Sequence, residues 1–352
     1  MRILEERSAI HFDSPVDAVA PAPAEARGLS REDVRLLVGS DAGITHARFR
    51  DLPDHLRAGD LVVVNDSATI PGEFDAESAR GGPVVLHLAT PLDDGTWVVE
   101  IRTPTDGARA VLDAEPGDRF AAHAIAVTLV EPYPRAGSSP TGTGNRLWRA
   151  HVDGPLDDHL RRHGRPIAYG YLPRRYPLSA YQTVFATQPG SAEMPSAARP
   201  FSHGVVTRLV SKGVAVAPVT LHTGVSSQEA GEAPQAERFA VPAATARLVN
   251  AVRAGGGRVV AAGTTVTRAL ESAVSDDGIV VATGGWTERV VTPADPPRVV
   301  NGLITGWHDP HASHLLLVEA VAGRELTQRA YEAAVAGEYL WHEFGDSALL
   351  LP

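Results

Sequence analysis

Apolar and polar positions follow two different rhythms along the 352 residues. The first is a short, unbroken apolar run of the kind that forms strands buried on both faces. Residues 34–38 (VRLLV), 60–65 (DLVVVN), 214–221, 259–262 (VVAA) and 303–305 carry it. Between these runs lie stretches of helical character at 52–56, 156–163, 204–211, 242–254 and 327–337. The stretch 242–254 is the clearest, with Pro242 at its start and Gly255 at its stop. Residues 214–272 therefore read strand, loop, helix, strand, helix, the order of a parallel α/β core. The second rhythm occupies residues 72–153, where β-rich runs at 84–88, 97–102, 119–126 and 147–152 are separated by Gly, Pro and Asp clusters. That spacing predicts a small antiparallel barrel or sandwich. The fold class is accordingly α/β: a large α/β core domain from residues 1–71 and 154–352, with a small antiparallel β-barrel domain inserted at 72–153.

Three segments stand outside these rhythms. Residues 1–30 include PVDAVAPAPAEARG, read as an extended surface piece rather than a helix. Residues 135–145 (RAGSSPTGTGN) read as a flexible hairpin tip. Residues 223–239 form a long polar loop with no pattern, and loops of that length are usually functional or disordered.

Composition narrows the function classes. At 43% hydrophobic and 21% charged the chain is globular. No apolar run reaches the roughly 18 residues that span a bilayer, so no membrane partner is expected, and MRILEERSAI lacks the apolar stretch of a signal peptide. With no cysteine there is no disulfide, thiolate metal site or cysteine nucleophile, which fits a cytoplasmic protein. The net charge of -10 argues against a dedicated nucleic-acid-binding domain, although brief contact with RNA needs only a local basic patch. Lys212 is the only lysine, and its setting resembles an exposed helix end, so lysine Schiff-base chemistry is not expected.

Several groups of residues carry candidate chemistry. In 258–272 (RVVAAGTTVTRALES), an apolar strand meets Gly263, then Thr264 and Thr265 at the cap of a helix carrying Arg268. This arrangement offers free N–H groups and hydroxyls to a ligand, and it also describes an ordinary capped turn. Asn65-Asp66-Ser67 forms a polar loop at a strand end, where α/β sheets place ligands. His222 ends another strand and suits acid–base work or hydrogen bonding to a neighbouring strand. His308, His311 and His314 lie in WHDPHASH, but their spacing around Pro310 is not that of a helical zinc motif. A helix starting near Pro310, capped by Asp309 or His308, fits better, and no metal is expected. Gln182, Thr183, Glu193 and Ser196 sit in a segment that reads as a ligand loop or a surface excursion. Arg161, Arg162, Arg165, Arg174 and Arg175 are interleaved with Tyr169, Tyr171 and Tyr176, a mixture that suits RNA phosphates and stacked bases or a solvated face. The common P-loop, dinucleotide, serine-hydrolase and zincin motifs are absent.

Taken in order, these segments resemble the S-adenosylmethionine:tRNA ribosyltransferase-isomerase family of queuosine biosynthesis. The resemblance runs through 61–71 (LVVVNDSATIP), 181–185 (YQTVF), 189–191 (PGS), 220–224 (TLHTG), 262–272 (AGTTVTRALES), 305–308 (TGWH), 313–323 and 344–346 (FGD). It implies a large α/β domain with an inserted barrel. It also implies S-adenosylmethionine as a ribosyl donor, with no metal or redox cofactor. In that chemistry a base removes a C5′ proton acidified by the sulfonium and adenine is expelled. The aminomethyl group of a 7-deazaguanine in tRNA attacks the ribose, and an epoxide forms as methionine leaves. The roles that follow place Thr264, Thr265 and Arg268 on the methionine carboxylate or a ribose hydroxyl, with His222 and Glu193 as base candidates. Tyr181, Gln182, His308 and Ser313 line the cleft, and Trp341 and Glu343 bound it, Trp341 alternatively as core. The five arginines would contact tRNA.

The chain departs from the family's usual sequence within that cleft. Asn65-Asp66-Ser67-Ala68 stands where Asn-Asn-Thr-Arg is usual, and the segment from Ala192 gains Glu193 and Arg199 while losing a histidine. Val225-Ser226-Ser227-Gln228 replaces Ala-Gly-Thr-Phe, and the Asp-His-x-Met-His-x-Glu region shrinks to 235–239, which keeps Glu237. These changes leave two alternatives: a paralogue that uses the same C5′ chemistry on a small-molecule acceptor or simply cleaves the donor, and a non-catalytic S-adenosylmethionine-binding protein.

Overall fold

The structure is a computed structural model that describes all residues except 1–5, 14–17, 105–108, 139–141, 171, 227–233 and 311. Tyr171, His311 and the centre of the 223–239 loop therefore lie outside the described residues. The first strands are β1 (Arg35–Ser40), β2 (Gly43–Arg48), β3 (Leu61–Asn65) and β4 (Ser67–Thr69), with helix α1 (Leu52–His55) between β2 and β3. Six strands follow: β5 (Glu73–Ser78), β6 (Pro83–Pro91), β7 (Trp97–Arg102), β8 (Arg119–Ala122), β9 (Ile125–Pro132) and β10 (Leu147–Asp153). The chain then runs through α2 (Leu156–His163), β11 (Gln188–Ser191), α3 (His203–Ser211), β12 (Ala215–Leu221), β13 (Glu237–Val241), α4 (Ala243–Ala254) and β14 (Val259–Ala262). It ends with α5 (Thr264–Ser272), β15 (Thr283–Thr287), β16 (Gly302–Thr305), α6 (His314–Ala322), α7 (Arg324–Ala336) and β17 (Ser347–Leu351).

Nine strands make the central sheet in the order β15-β13-β12-β3-β14-β16-β17-β1-β2. Strands β12, β3, β14 and β16 are mutually parallel, and antiparallel neighbours flank them on both sides. The alternation of side chains along β3 explains its unbroken apolar run: Leu61 and Val63 face one core cluster, Val62 and Val64 the other. The first cluster takes α4 to α7 and the second takes α3 and Phe201.

Strands β5 to β10 close into an antiparallel barrel, β10-β7-β6-β5-β8-β9, filled by Phe74, Leu86, Val99, Ile101, Phe120 and Trp148. Its entry and exit meet: Glu73 and Arg165 exchange both main-chain hydrogen bonds, at 3.0 and 2.9 Å. A second tie comes from the β6–β7 turn, where Asp93 accepts from Trp286 Nε1 at 2.8 Å and from Arg238.

Two expectations change. The proline-rich piece near the N-terminus is not a surface segment: Ala20 and Ala24 are buried, Val19 pairs with Trp341, and residues Ala24–Arg27 form a short 3-10 helix. The stretch 223–239 is not loop to its end, because Glu237–Val241 is a strand between β12 and β15. Among the described residues no helix is long and apolar enough to cross a membrane.

Candidate functional site

Because β3, β12 and β14 are parallel, the loops that leave them emerge at one end of the sheet. Asn65 knits two of these ends together. Its Nδ2 donates to Leu221 O (2.8 Å), and its Oδ1 accepts from the main-chain N–H of Leu221 (3.0 Å) and Ser67 (3.1 Å). Ser67 Oγ then lies 2.7 Å from His222 Nδ1 and 2.6 Å from Ser191 Oγ. Gly190 permits this approach, since a Cβ there would fall 2.6 Å from His222 Nδ1. Burial lowers the pKa of His222, partly opposed by Asp66, so the ring is held neutral.

Beside these loops lies a cavity of about 430 Å³, within the range of ligand sites. Gly263, Thr264 and Thr265 line it from the start of α5. The threonines do not cap the helix as expected: the N-cap is Gly263, with φ 106° and ψ 160°, and no side chain caps the first turn. A glycine suits that φ. The uncapped N-terminus of α5 thus stands at the cavity wall with first-turn N–H groups free of helical partners. Thr265 Oγ1 accepts from Asn65 Nδ2 at 3.4 Å, tying the helix start to the strand ends.

Arg268, expected to hold a ligand, lines the cavity but is taken up by the protein. Its Nε donates to Arg289 O (2.9 Å), its Nη2 to Gln235 O (3.1 Å) and Thr287 O (3.4 Å), and its Nη1 to Glu237 Oε2. Four of the five guanidinium N–H groups are engaged. Glu237 also lines the cavity, with Oε1 accepting from Gly224 N at 3.3 Å. Burial raises its pKa, and the ion pair with Arg268 opposes that rise. The sequence singles out Glu237 only as what a shortened family motif keeps, and assigns it no partner, because it falls in a stretch that reads as loop. The alternating ERFAV pattern is the available signal.

Also in the cavity lining, the rings of His308 and His314 stack at 5.0 Å with 9° between planes. Thr305 Oγ1 lies 3.0 Å from His308 Nε2. Burial and the nearby Arg268 charge push His314 down to about 4, and burial with His314 and His342 nearby holds His308 well below its usual range. Both rings are neutral hydrogen-bonding groups near pH 7. The helix here begins at His314, with Ser313 at its N-cap, rather than near Pro310. Ser313 lines the cavity, and its buried Oγ has no partner. Among the described residues no set of three His, Cys, Asp or Glu side chains is arranged to hold a metal ion.

Glu193 completes the wall nearest the barrel. Its carboxylate accepts from Tyr169 OH, from Ser226 N (2.7 Å) and from Ser226 Oγ, while its carbonyl accepts from Thr223 Oγ1 at 2.5 Å.

Other candidates sit away from the cavity. Tyr181 is core, 2% exposed and packed on Phe344. Gln182 spends its amide on the main chain of Thr69, at 3.1 and 2.8 Å, and so fixes β4. Neither is at the wall, because a short 3-10 turn carries their segment into the core beneath β4. His222 is one residue behind the lining residues Thr223 and Gly224. Trp341 is core, packed against Trp307 and Tyr331, whereas Glu343 lines the cavity. The arginine cluster divides. Arg165 and Arg175 bind the buried Glu73, at 2.6 and 2.5 Å. Arg161, Arg162 and Arg174 are exposed, with Arg161 beside Asp158 and Arg174 over the Tyr176 ring.

Comparison with known proteins gives one consistent answer. The family described as "Queuosine biosynthesis protein" matches residues 7–350. The S-adenosylmethionine:tRNA ribosyltransferase-isomerase of Symbiobacterium thermophilum is 33% identical over 351 residues, covering 97% of this chain and 98% of that protein. The Thermus thermophilus enzyme of the same name is 34% identical, covering 99% and 100%. That of Gloeobacter violaceus is 35% identical, covering 96% and 94%. The crystal structure of an S-adenosylmethionine tRNA ribosyltransferase from Thermotoga maritima shares the fold, with TM-score 0.51 and 24% identity over 97% of this chain and 99% of that one.

Proposed function

The chain belongs to the queuosine biosynthesis protein family, and from that premise we propose that it transfers and isomerises the ribosyl group of S-adenosylmethionine onto a 7-aminomethyl-7-deazaguanine in tRNA. The product is epoxyqueuosine, and adenine and methionine are released. The observation that carries this reading is the cavity of about 430 Å³ at the ends of the parallel strands, bordered by the N-terminus of α5. A helix N-terminus attracts a carboxylate through its free N–H groups and dipole. Thr264 and Thr265, with those N–H groups, hold the methionine carboxylate. The stacked neutral rings of His308 and His314, with Ser313, line the side where adenine departs.

The base acting at C5′ is assigned to Glu193, which lines the cavity. His222 is the second candidate and acts from behind Thr223. Arg268 serves the site through Glu237 rather than by direct contact. The exposed Arg161, Arg162 and Arg174 contact tRNA; Arg165 and Arg175 serve the barrel joint. The same reading divides the chain into an α/β core, 1–71 and 154–352, and an inserted barrel, 72–153, and expects action in the cytoplasm, where tRNA is modified.

The test is to incubate the protein with S-adenosylmethionine alone and then with precursor-modified tRNA, identifying products by mass spectrometry. Adenine and methionine released only with tRNA, together with epoxyqueuosine in the RNA, is the expected result. Release without tRNA would replace this reading with donor cleavage.

A further inference from the structure

A dense buried network lies at the joint between barrel and core. His87 on β6 is fully buried and sits between two buried carboxylates: Nε2 is 3.1 Å from Glu73 Oε2 and Nδ1 is 3.2 Å from Glu100 Oε2. A carboxylate offers only acceptors, so both ring nitrogens carry protons, and these carboxylates raise the pKa of His87 against the cost of burial. Arg165 and Arg175 meet Glu73, and Arg102 and Arg146 meet Glu100 at 2.7 and 3.2 Å. Two members of this network brace one aromatic ring. The Arg102 guanidinium lies 5.3 Å from the ring centroid of Tyr169, and the His87 ring meets it edge-on at 6.1 Å. Tyr169 lines the cavity, and its hydroxyl donates to Glu193.

We propose that Tyr169 is a positioning residue, through which the barrel joint fixes the Glu193 carboxylate at the cavity wall. The geometry is that of a stiff strut. A ring with few torsions is held by a fixed cation, and its donor reaches a carboxylate that also binds Ser226 N–H. Glu193 lines the cavity. A carboxylate facing a cavity needs donors that set its direction, and Tyr169 and Ser226 supply them. The proposal rests on the assignment of Glu193 made above only for its effect on turnover.

The test uses the full chain and the Tyr169→Phe variant, which keeps the ring and removes the donor. Amide hydrogen exchange at Ser226 reads the position of Glu193 without turnover, so a protein inactive on tRNA leaves this readout decisive. The expected result is exchange about tenfold faster or more at Ser226, with the melting temperature unchanged. With S-adenosylmethionine and precursor tRNA, kcat falls about tenfold to a hundredfold with KM for the donor held within about twofold. The double variant with Glu193→Gln is no slower than Glu193→Gln alone, a non-additivity that a merely structural role would not give. Unchanged exchange at Ser226, or additive losses in the double variant, overturns the proposal. Wild-type protein that leaves the tRNA unmodified would overturn the function proposed for the site while the exchange result still decides on Tyr169.

Discussion

Arg268 on α5 and Glu237 at the start of β13 form a buried ion pair that joins the helix to the outer strands of the sheet. The remaining N–H groups of the arginine end largely on main-chain carbonyls, so its removal leaves both a buried carboxylate and unpaired carbonyls. Breaking such a pair from one side costs about 3–5 kcal/mol. Arg268→Gln is expected to lose stability on that scale in urea unfolding. Adding Glu237→Gln should recover part of the loss, because the uncompensated charge is gone.

The neutral histidines set a direction for pH dependence. His314 is lowered from 6.5 to about 4, so between those values the unfolded chain binds more protons than the folded one. Stability therefore rises with pH across that window, is fully present above about 6.5 and is lost as pH falls toward 4. His308 shifts in the same sense, and the buried His87 shifts oppositely. Urea midpoints measured at pH 5 and pH 7 should differ in favour of pH 7, and His314→Gln should shrink that difference.

Gly190→Ala tests the packing behind the cavity. The new methyl group would meet His222 Nδ1 at 2.6 Å, so either the ring or the strand must move. Overpacking of this kind costs about 1–3 kcal/mol. The expected outcome is a lower melting temperature together with altered His222 ring signals in NMR spectra.

At the start of α5, proline is a specific probe. It is well tolerated in the first helical position, and it removes one N–H that lacks a helical partner. Thr264→Pro should leave the melting temperature unchanged while weakening S-adenosylmethionine about tenfold by calorimetry. Equal affinity would remove this helix end from donor binding.

The two halves of the arginine cluster should behave differently. Arg161→Ala with Arg162→Ala changes exposed residues on α2. It should raise KM for tRNA and flatten its salt dependence by about 0.7–0.9 for each RNA phosphate no longer neutralised. Arg165→Ala strips a partner from the buried Glu73 and should instead lower stability, with its effect visible before any tRNA is added.

Much of the fold is legible in the sequence because its strongest signals are local. The run LVVVN is apolar at every position since β3 is covered on both faces, and the turn-rich 72–153 stretch announces the barrel. The cavity wall is legible through Gly263-Thr264-Thr265. What escapes depends on distant partners. Glu237 reads as loop because its strand is short and its companion Arg268 is far along the chain. Ala18 and Ala20 look like surface because their burial is supplied by segments near the C-terminus. Tyr181 and Gln182 follow a family motif, but that motif fixes β4 and the core beneath it.

The paired main chains of Glu73 and Arg165 have a consequence for how the chain is assembled. Seen from the sheet, the long excursion through the barrel leaves and returns at one hydrogen-bonded pair. Once the barrel has closed, its ends already lie side by side, and the remaining chain behaves as though joined by a short turn. The entropy of closing so long a loop is then borne within the barrel itself. A short linker bridging those two positions should therefore leave a sheet that still assembles, which makes this junction the natural point at which to shorten or exchange the insertion.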